Sequence, residues 1–211
     1  YRKVEDKKFV LRASNTNLLD FSNSIIVDFE REAKKLNIDF SLVSNNPELE
    51  VYIDRNLMDK VYFNLLSNAF KFTPENGKIA IKIKEDKANN VVKISFKDSG
   101  IGIPENELNQ VFNAFYQGSN NYRNSSGVGL HLSKSFIDLH MGTIEIISKN
   151  GTEFIITLQL GKEHLDEKNI LKNPVLDTIN QTDYLDEEVI QSSDTKTNED
   201  KYSVLYIEDN K

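Results

Sequence analysis

The sequence predicts an α+β fold: a two-layer sandwich in which a mixed, mostly antiparallel sheet carries helices on one face. Three observations support that expectation. Residues 78–84 alternate strictly, with Ile79, Ile81 and Ile83 on one side, and Val92, Ile94 and Phe96 repeat the pattern, so the two runs read as a hairpin. Asn150-Gly151 separates two further strand-like runs and is a strong signal for a two-residue turn. Helical runs fall between such hairpins instead of alternating one for one with strands, which argues against a parallel, doubly wound sheet.

The elements follow in order. Lys8 to Arg12 reads as a short strand. Ser14 or Asn15 can cap a helix from about Thr16 to Leu36, with Leu18, Leu19, Ile25, Ile26 and Phe29 as its apolar positions. Ile38–Val43 and Leu49–Ile53 read as strands. Asp54 caps a helix that runs to about Phe72, and Pro74 stops it. After the hairpin comes a loop-rich stretch from Ser99 to Ser126, then a helix from about Gly129 to Met141. Thr143–Ser148 and Thr152–Leu160 are the final strands. From Gly161 to Lys201 the composition turns acidic and polar, and the segment reads as a flexible linker. The folded domain is thus expected over residues 8–160.

Composition narrows the function. The 211 residues carry a net charge of −7 and are 38% hydrophobic and 28% charged, as in soluble globular chains. No basic stripe stands out, which argues against nucleic acid as a partner. The chain has no cysteine, which excludes disulfides, thiol chemistry and thiolate metal sites and suits the cytoplasm. No apolar run approaches the roughly 20 residues that span a bilayer, so no membrane contact is expected of this chain. It begins at Tyr1 and reads as a piece of a larger protein.

Four segments carry chemistry. Asn64, Asn68 and Lys71 fall within about 60° of arc on one helix, at the edge of the stripe formed by Leu57, Val61, Leu65 and Ala69. Asn is a mediocre helix former, so two in mid-helix need a reason. A carboxamide oxygen is a neutral hard ligand for Mg²⁺, and a lysine pairs with phosphate; ordinary polar residues bordering a core would look the same. Asp98 continues the apolar face of Val92, Ile94 and Phe96, where a carboxylate needs donors, and a purine amine would serve. Gly100 and Gly102 follow it and let the backbone turn tightly and approach a flat ring; a simple Asp-Ser-Gly turn explains only the first glycine. Phe112 and Phe115 read as packing residues. Residues 117–126 are polar and read as a mobile loop, and residues 125–130, Ser-Ser-Gly-Val-Gly-Leu, lead glycine-rich backbone into a helix N-terminus, a phosphate cradle or a plain helix start.

In this order and spacing the segments resemble the N, G1, F and G2 boxes of the ATP-binding domains of sensor histidine kinases. Residues 151–154, Gly-Thr-Glu-Phe, look like the closing G3 box, and His140-Met141-Gly142 resembles the His-Gly-Gly step that ends the last helix in that family. The resemblance covers about residues 8–160. It implies the Bergerat ATP-binding fold, with ATP and Mg²⁺ as ligands. It implies that Asn68 holds the metal, that Asn64 lies beside it near the phosphates, and that Lys71 contacts phosphate, Asn64 and Lys71 being the catalytic pair. It assigns Asp98 to the adenine amine and Gly100, Gly102 and Ile103 to the ring. Phe72, Tyr116, Ser126, Gly127, Val128, Gly129 and Leu130 complete the nucleotide site, with Thr152 near the adenine end.

Three residues depart from the family pattern. Phe72 stands where Tyr is usual and lacks the hydroxyl. Ser125 replaces a common glycine, and Gln117 stands where Arg is frequent. No histidine fits a phospho-acceptor helix: His131 and His140 lie in the last helix, where packing or capping suits them, and His164 sits at the linker start. The resemblance therefore implies γ-phosphoryl transfer from ATP to a histidine on a separate dimerisation domain. Residues 1–7 would be the tail of that domain's helix. Residues 202–211, an apolar run ending in Glu208-Asp209, resemble the first strand of a receiver domain, which implies a hybrid kinase, homodimeric and anchored in the inner membrane as most sensor kinases are. The alternatives are a non-catalytic nucleotide-binding module or another ATPase of the same superfamily. A hydrolase of that kind would show a general-base glutamate where Asn64 stands.

Overall fold

The computed structural model describes residues 9–118 and 127–171. The expectations for residues 1–7, for Ser125, Ser126 and most of the polar loop, for the linker beyond 171 and for 202–211 lie outside the described residues. The elements are β1 (Ser14–Asn17), α1 (Leu18–Lys35), β2 (Asp39–Ser44), β3 (Glu50–Ile53), α2 (Arg55–Phe72), β4 (Lys78–Asp86), β5 (Val91–Asp98), α3 (Gly129–Leu139), β6 (Thr143–Ser148) and β7 (Thr152–Gln159). Short 3-10 turns span Glu105–Glu107 and Glu167–Asn169.

Five strands form the main sheet in the order β2-β4-β5-β7-β6. Only β2 and β4 run parallel; the other neighbours are antiparallel, as the hairpin signals predict. Ile79, Ile81 and Ile83 of β4, Val92, Ile94 and Phe96 of β5, and Phe154, Ile156 and Leu158 of β7 are all buried against the helices. Burying such a side chain stabilises by about 2 kcal/mol, so these positions fix the register. The other face of these strands carries lysines, serine and glutamate: Glu153 accepts from Ser95 and pairs with Lys97 at 3.4 Å. The result is the two-layer α+β sandwich, helices on one face.

α2 is the central helix. Its stripe of Leu57, Val61, Leu65 and Ala69 is buried, joined by Met58, Tyr62, Leu66 and Phe70. Asp54 caps it as expected: Oδ1 accepts from the Asn56 and Leu57 amides. Tyr62 reaches the centre of the core and satisfies its hydroxyl at Ser22 Oγ, 2.9 Å away.

Two expectations at the N-terminus are corrected. Residues 9–12 form no strand; β1 is Ser14–Asn17, antiparallel to β3. Its inward side chains are Ser14 and Thr16, which bond one another and local backbone, so a polar strand has the composition of a helix cap. The true cap of α1 is Asn17, whose Oδ1 accepts from Asp20 N at 2.9 Å. At the other end, residues 161–171 are not a linker. Leu165 is buried, and the segment runs beside Ala13: Ala13 N donates to Asn169 O at 2.7 Å and Leu171 N to Ala13 O at 2.8 Å. No helix among the described residues is long and apolar enough to cross a membrane.

Candidate nucleotide site

The ends of α2 and β5, the start of α3 and the turn into β7 surround a cavity of about 400 Å³. From α2 come Asn64, Ser67, Asn68, Lys71 and Phe72. The two asparagines are half-buried at the edge of the core stripe, so their carboxamides reach the cavity without being sealed from it. Lys71 lies 5.3 Å over the ring of Phe72, which holds the ammonium beside the cavity at a modest gain.

β5 delivers Asp98 to the cavity floor. Its Oδ1 accepts from Gly100 N at 2.8 Å and from Thr152 N at 3.1 Å. Burial pushes the carboxyl pKa up, and these two N–H bonds pull it back. Both bonds go to one oxygen, so Asp98, itself a lining residue of the cavity, keeps acceptor capacity on the other. The surrounding backbone is packed too closely for side chains. A Cβ on Gly100 would fall within 2.5 Å of Phe72 O, and Gly102 has φ +72 with Ser148 Oγ 2.9 Å from where its Cβ would be.

The glycine-led start of α3 closes the other side. Gly127, Gly129 and Leu130 line the cavity. Gly127 has φ +68, and its carbonyl accepts from Phe115 N at 2.9 Å. Asn64 Oδ1 lies where a Cβ of Gly129 would be, so the first turn of α3 sits directly on α2.

Of the sequence-predicted residues, Asn64, Asn68, Lys71, Phe72, Asp98, Gly102, Ile103, Tyr116, Gly127, Gly129, Leu130 and Thr152 line the cavity together. Gly100 does not; it works behind the wall, through its bond to Asp98 and its approach to Phe72. Val128 does not either: it stands at the N-cap of α3 and accepts from Leu132 N. Ser126 lies outside the described residues. Phe112 packs edge-on to Phe154 at 6.4 Å, but Phe115 is no packing residue: it is 75% exposed with φ +64, a costly backbone state. His131 and His140 do not reach the cavity. His131 Nδ1 meets Phe112 O at 3.1 Å, and His140 is locked in the core.

These elements together make a nucleotide-sized cavity with a metal-compatible edge, and the sequence matches the histidine kinase-, DNA gyrase B- and HSP90-like ATPase family over residues 53–162. The chain belongs to that family, as a histidine kinase ATP-binding domain. It is similar along its whole length, at 35% identity, to histidine kinase P4 of Formosa agariphila. It is 36% identical over 80% of its length to hybrid signal transduction histidine kinase D of Dictyostelium discoideum. The chain spans only 16% and 12% of these relatives. Among solved structures, the catalytic domain of the histidine kinase ThkA superposes with a TM-score of 0.65 at 32% identity, covering 71% of this chain and 97% of that one.

Within this histidine kinase domain, several site residues escape sequence reasoning. Glu107, Val111, Gly118 and Phe154 line the cavity. Glu107 is a buried carboxylate that accepts from the Tyr116 hydroxyl; partial burial and that contact push the tyrosine pKa up. Ser148 supports the site without touching it. Its Oγ accepts from Ile103 N at 2.7 Å and donates to Gly151 O at 3.0 Å, which ties the Asp98 loop to the β6–β7 turn. No local pattern marks Ser148, because its partner Ile103 is 45 residues away.

The donor set fits a nucleotide-borne magnesium ion. No group of three or more His, Cys, Asp or Glu side chains among the described residues could hold a metal by itself. Neutral carboxamide oxygens suit Mg²⁺ that arrives already bound to phosphates and keeps several waters.

Proposed function

We propose that this domain binds ATP with Mg²⁺ and donates the γ-phosphoryl group to a histidine on a separate dimerisation domain. The observation that carries this reading is Asp98. A buried carboxylate that lines the cavity spends one oxygen on two backbone amides and keeps the other as an acceptor, and Asn68 and Lys71 line the same cavity. That arrangement asks for a ligand with an amine at one end and anionic oxygens at the other.

In this reading Asp98 accepts from the adenine amine, and Ile103 and Gly102 flank the ring. Asn64 and Asn68 face the phosphates and Lys71 pairs with them. Bound Mg²⁺ supplies neutralisation of phosphate charge. Catalysis then rests on positioning and electrostatics, as in phosphoryl transfer generally. A histidine nitrogen of the partner domain attacks the γ-phosphorus, the bond to the bridging oxygen breaks, and ADP leaves. Asn64 in place of a general-base glutamate supports transfer over hydrolysis. The relatives' names support a two-component role, and the hybrid relative supports a receiver domain as a further partner. The proposed parent is a membrane-anchored homodimer, with residues 1–7 and 202–211 leading into its dimerisation and receiver domains.

Titration calorimetry with a non-hydrolysable ATP analogue and Mg²⁺ tests binding, and labelled ATP with a His-bearing helical domain added in trans tests transfer. The expected outcome is saturable binding and acid-labile label on histidine, with Asn68→Ala and Asp98→Ala each losing transfer by at least about 100-fold, as removal of a preorganised contact does. No binding at millimolar nucleotide would sink the ATP reading; binding without labelled histidine would sink the kinase reading alone.

A further inference from the structure

Ser133 belongs to α3, one turn beyond Gly129, and is almost fully buried at 2% exposure. Its hydroxyl accepts from Asn64 Nδ2 at 2.9 Å, a bond between residues 69 apart in sequence. The Asn64 oxygen points the other way along α3, to the space above Gly129, where a Cβ would collide with it. The carboxamide nitrogen is thus held by Ser133, while its oxygen sits over the bare backbone of Gly129, which also lines the cavity. Asn64 lines the cavity and Ser133 does not. With the nitrogen committed to Ser133, the oxygen is the atom left for the cavity, and oxygen is what a hard cation or its bound water accepts.

We infer that Ser133 is a positioning residue for Asn64, fixing which atom of that carboxamide faces the metal–phosphate end of the cavity. The inference rests on the nucleotide reading above and deepens it. It gives α3 a second task besides presenting glycine backbone. Partners that orient metal-facing side chains contribute to metal affinity even when they never touch the ion.

The test compares Ser133→Thr with Ser133→Val. The two side chains have the same shape and crowd the buried site equally, and they differ only in the hydroxyl. The probe is a non-hydrolysable ATP analogue, titrated into the full chain by calorimetry with Mg²⁺ and again with chelator. We expect Val to bind the Mg²⁺ complex roughly tenfold more weakly than Thr, and the two to bind metal-free analogue within about twofold of each other. Placing the pair in an Asn64→Ala background should erase the difference, because interacting positions are non-additive. Equal Mg²⁺-complex affinities for Thr and Val, or a difference that persists without metal or without Asn64, overturns the inference while the nucleotide reading stands. Wild-type chain that binds no analogue overturns both. Thermal melting of each variant is read alongside, and the hydroxyl's effect on Mg²⁺ binding is expected even where the two melt together.

Discussion

Asp98 shows how a single carboxylate can be tuned against stability for the sake of a ligand. It sits on an apolar strand face, and burial raises its pKa despite two amide donors. Asn in its place keeps an oxygen for Gly100 N and Thr152 N and sheds the cost of a buried charge. Asp98→Asn should therefore melt no lower than wild type while binding the ATP analogue at least about tenfold more weakly, since a bond to a charged acceptor is worth roughly 1.5–3 kcal/mol. Calorimetry and melting on one sample decide it; a variant that lost stability and kept affinity would refute the role. His140 is tuned in the opposite sense. Its Nε2 accepts from Asp54 N at 2.9 Å and its Nδ1 faces Phe136 O at 2.6 Å, so the neutral tautomer with hydrogen on Nδ1 satisfies both. Burial lowers its pKa below the usual 6.5. The unfolded chain then takes up a proton more readily than the folded one, so this contribution is intact above pH 6.5 and drains away as pH falls below it. Urea midpoints at pH 7.5 and 5.5 should differ, and His140→Gln should flatten that difference. Asp98 was legible in the sequence because a charge interrupts an alternating apolar run. The locking of His140 was not: its donor, Asp54, is 86 residues away, and only the fold brings them together.

At the scale of elements, helix ends were the least legible features. α1 and α3 both finish in the same hydrogen-bonded turn, with the second residue past the cap bonding back across it. After α1, Ile38 N donates to Ala33 O and Asn37 N to Lys34 O; after α3, Gly142 N donates to Ile137 O and Met141 N to Asp138 O. The turn demands positive φ at its hinge, +50 at Asn37 and +54 at Met141. Asn tolerates that state, but Met with its long side chain does not, and it is 60% exposed with no burial to compensate. Met141→Gly should stabilise the domain by roughly 0.5–1 kcal/mol without altering nucleotide affinity. A denaturant midpoint that stays put or falls would show that the Met side chain holds a compensating contact. The strands of the hairpin, by contrast, were read to within a residue or two because their period is enforced by a buried face. β1 escaped because its buried positions are serine and threonine, whose value depends on each other and not on hydropathy.

At the scale of the whole domain, the chain closes on itself beyond the stretch that matches the family. Residues 163–171 lie past that match, yet they cover the incoming strand-like segment: Leu165 is buried, as are Leu11 and Ala13, and Ala13 is held by backbone bonds on both of its polar groups. Arg12 N donates to Asp54 Oδ2 at 2.9 Å, so the incoming segment is also tied to the cap of the helix that bears Asn64, Asn68 and Lys71. Composition hid this arrangement, since the segment is mostly polar and contributes through main-chain pairing, buried Leu165 and half-buried Ile170. If the returning segment is structural closure, Leu165→Ala should cost about 2 kcal/mol, the low end for a leucine at the margin of a core. The Ala13 amide, bonded to Asn169 O, should exchange hydrogen faster than in wild type by a factor larger than the global loss explains, because opening is local before it is global. Affinity for the ATP analogue should stay within about twofold, because the cavity lies at the opposite end of α2 from its cap. Exchange at Ala13 that merely follows the global change would mean that the two segments are not a separate closing unit but part of the same cooperative core.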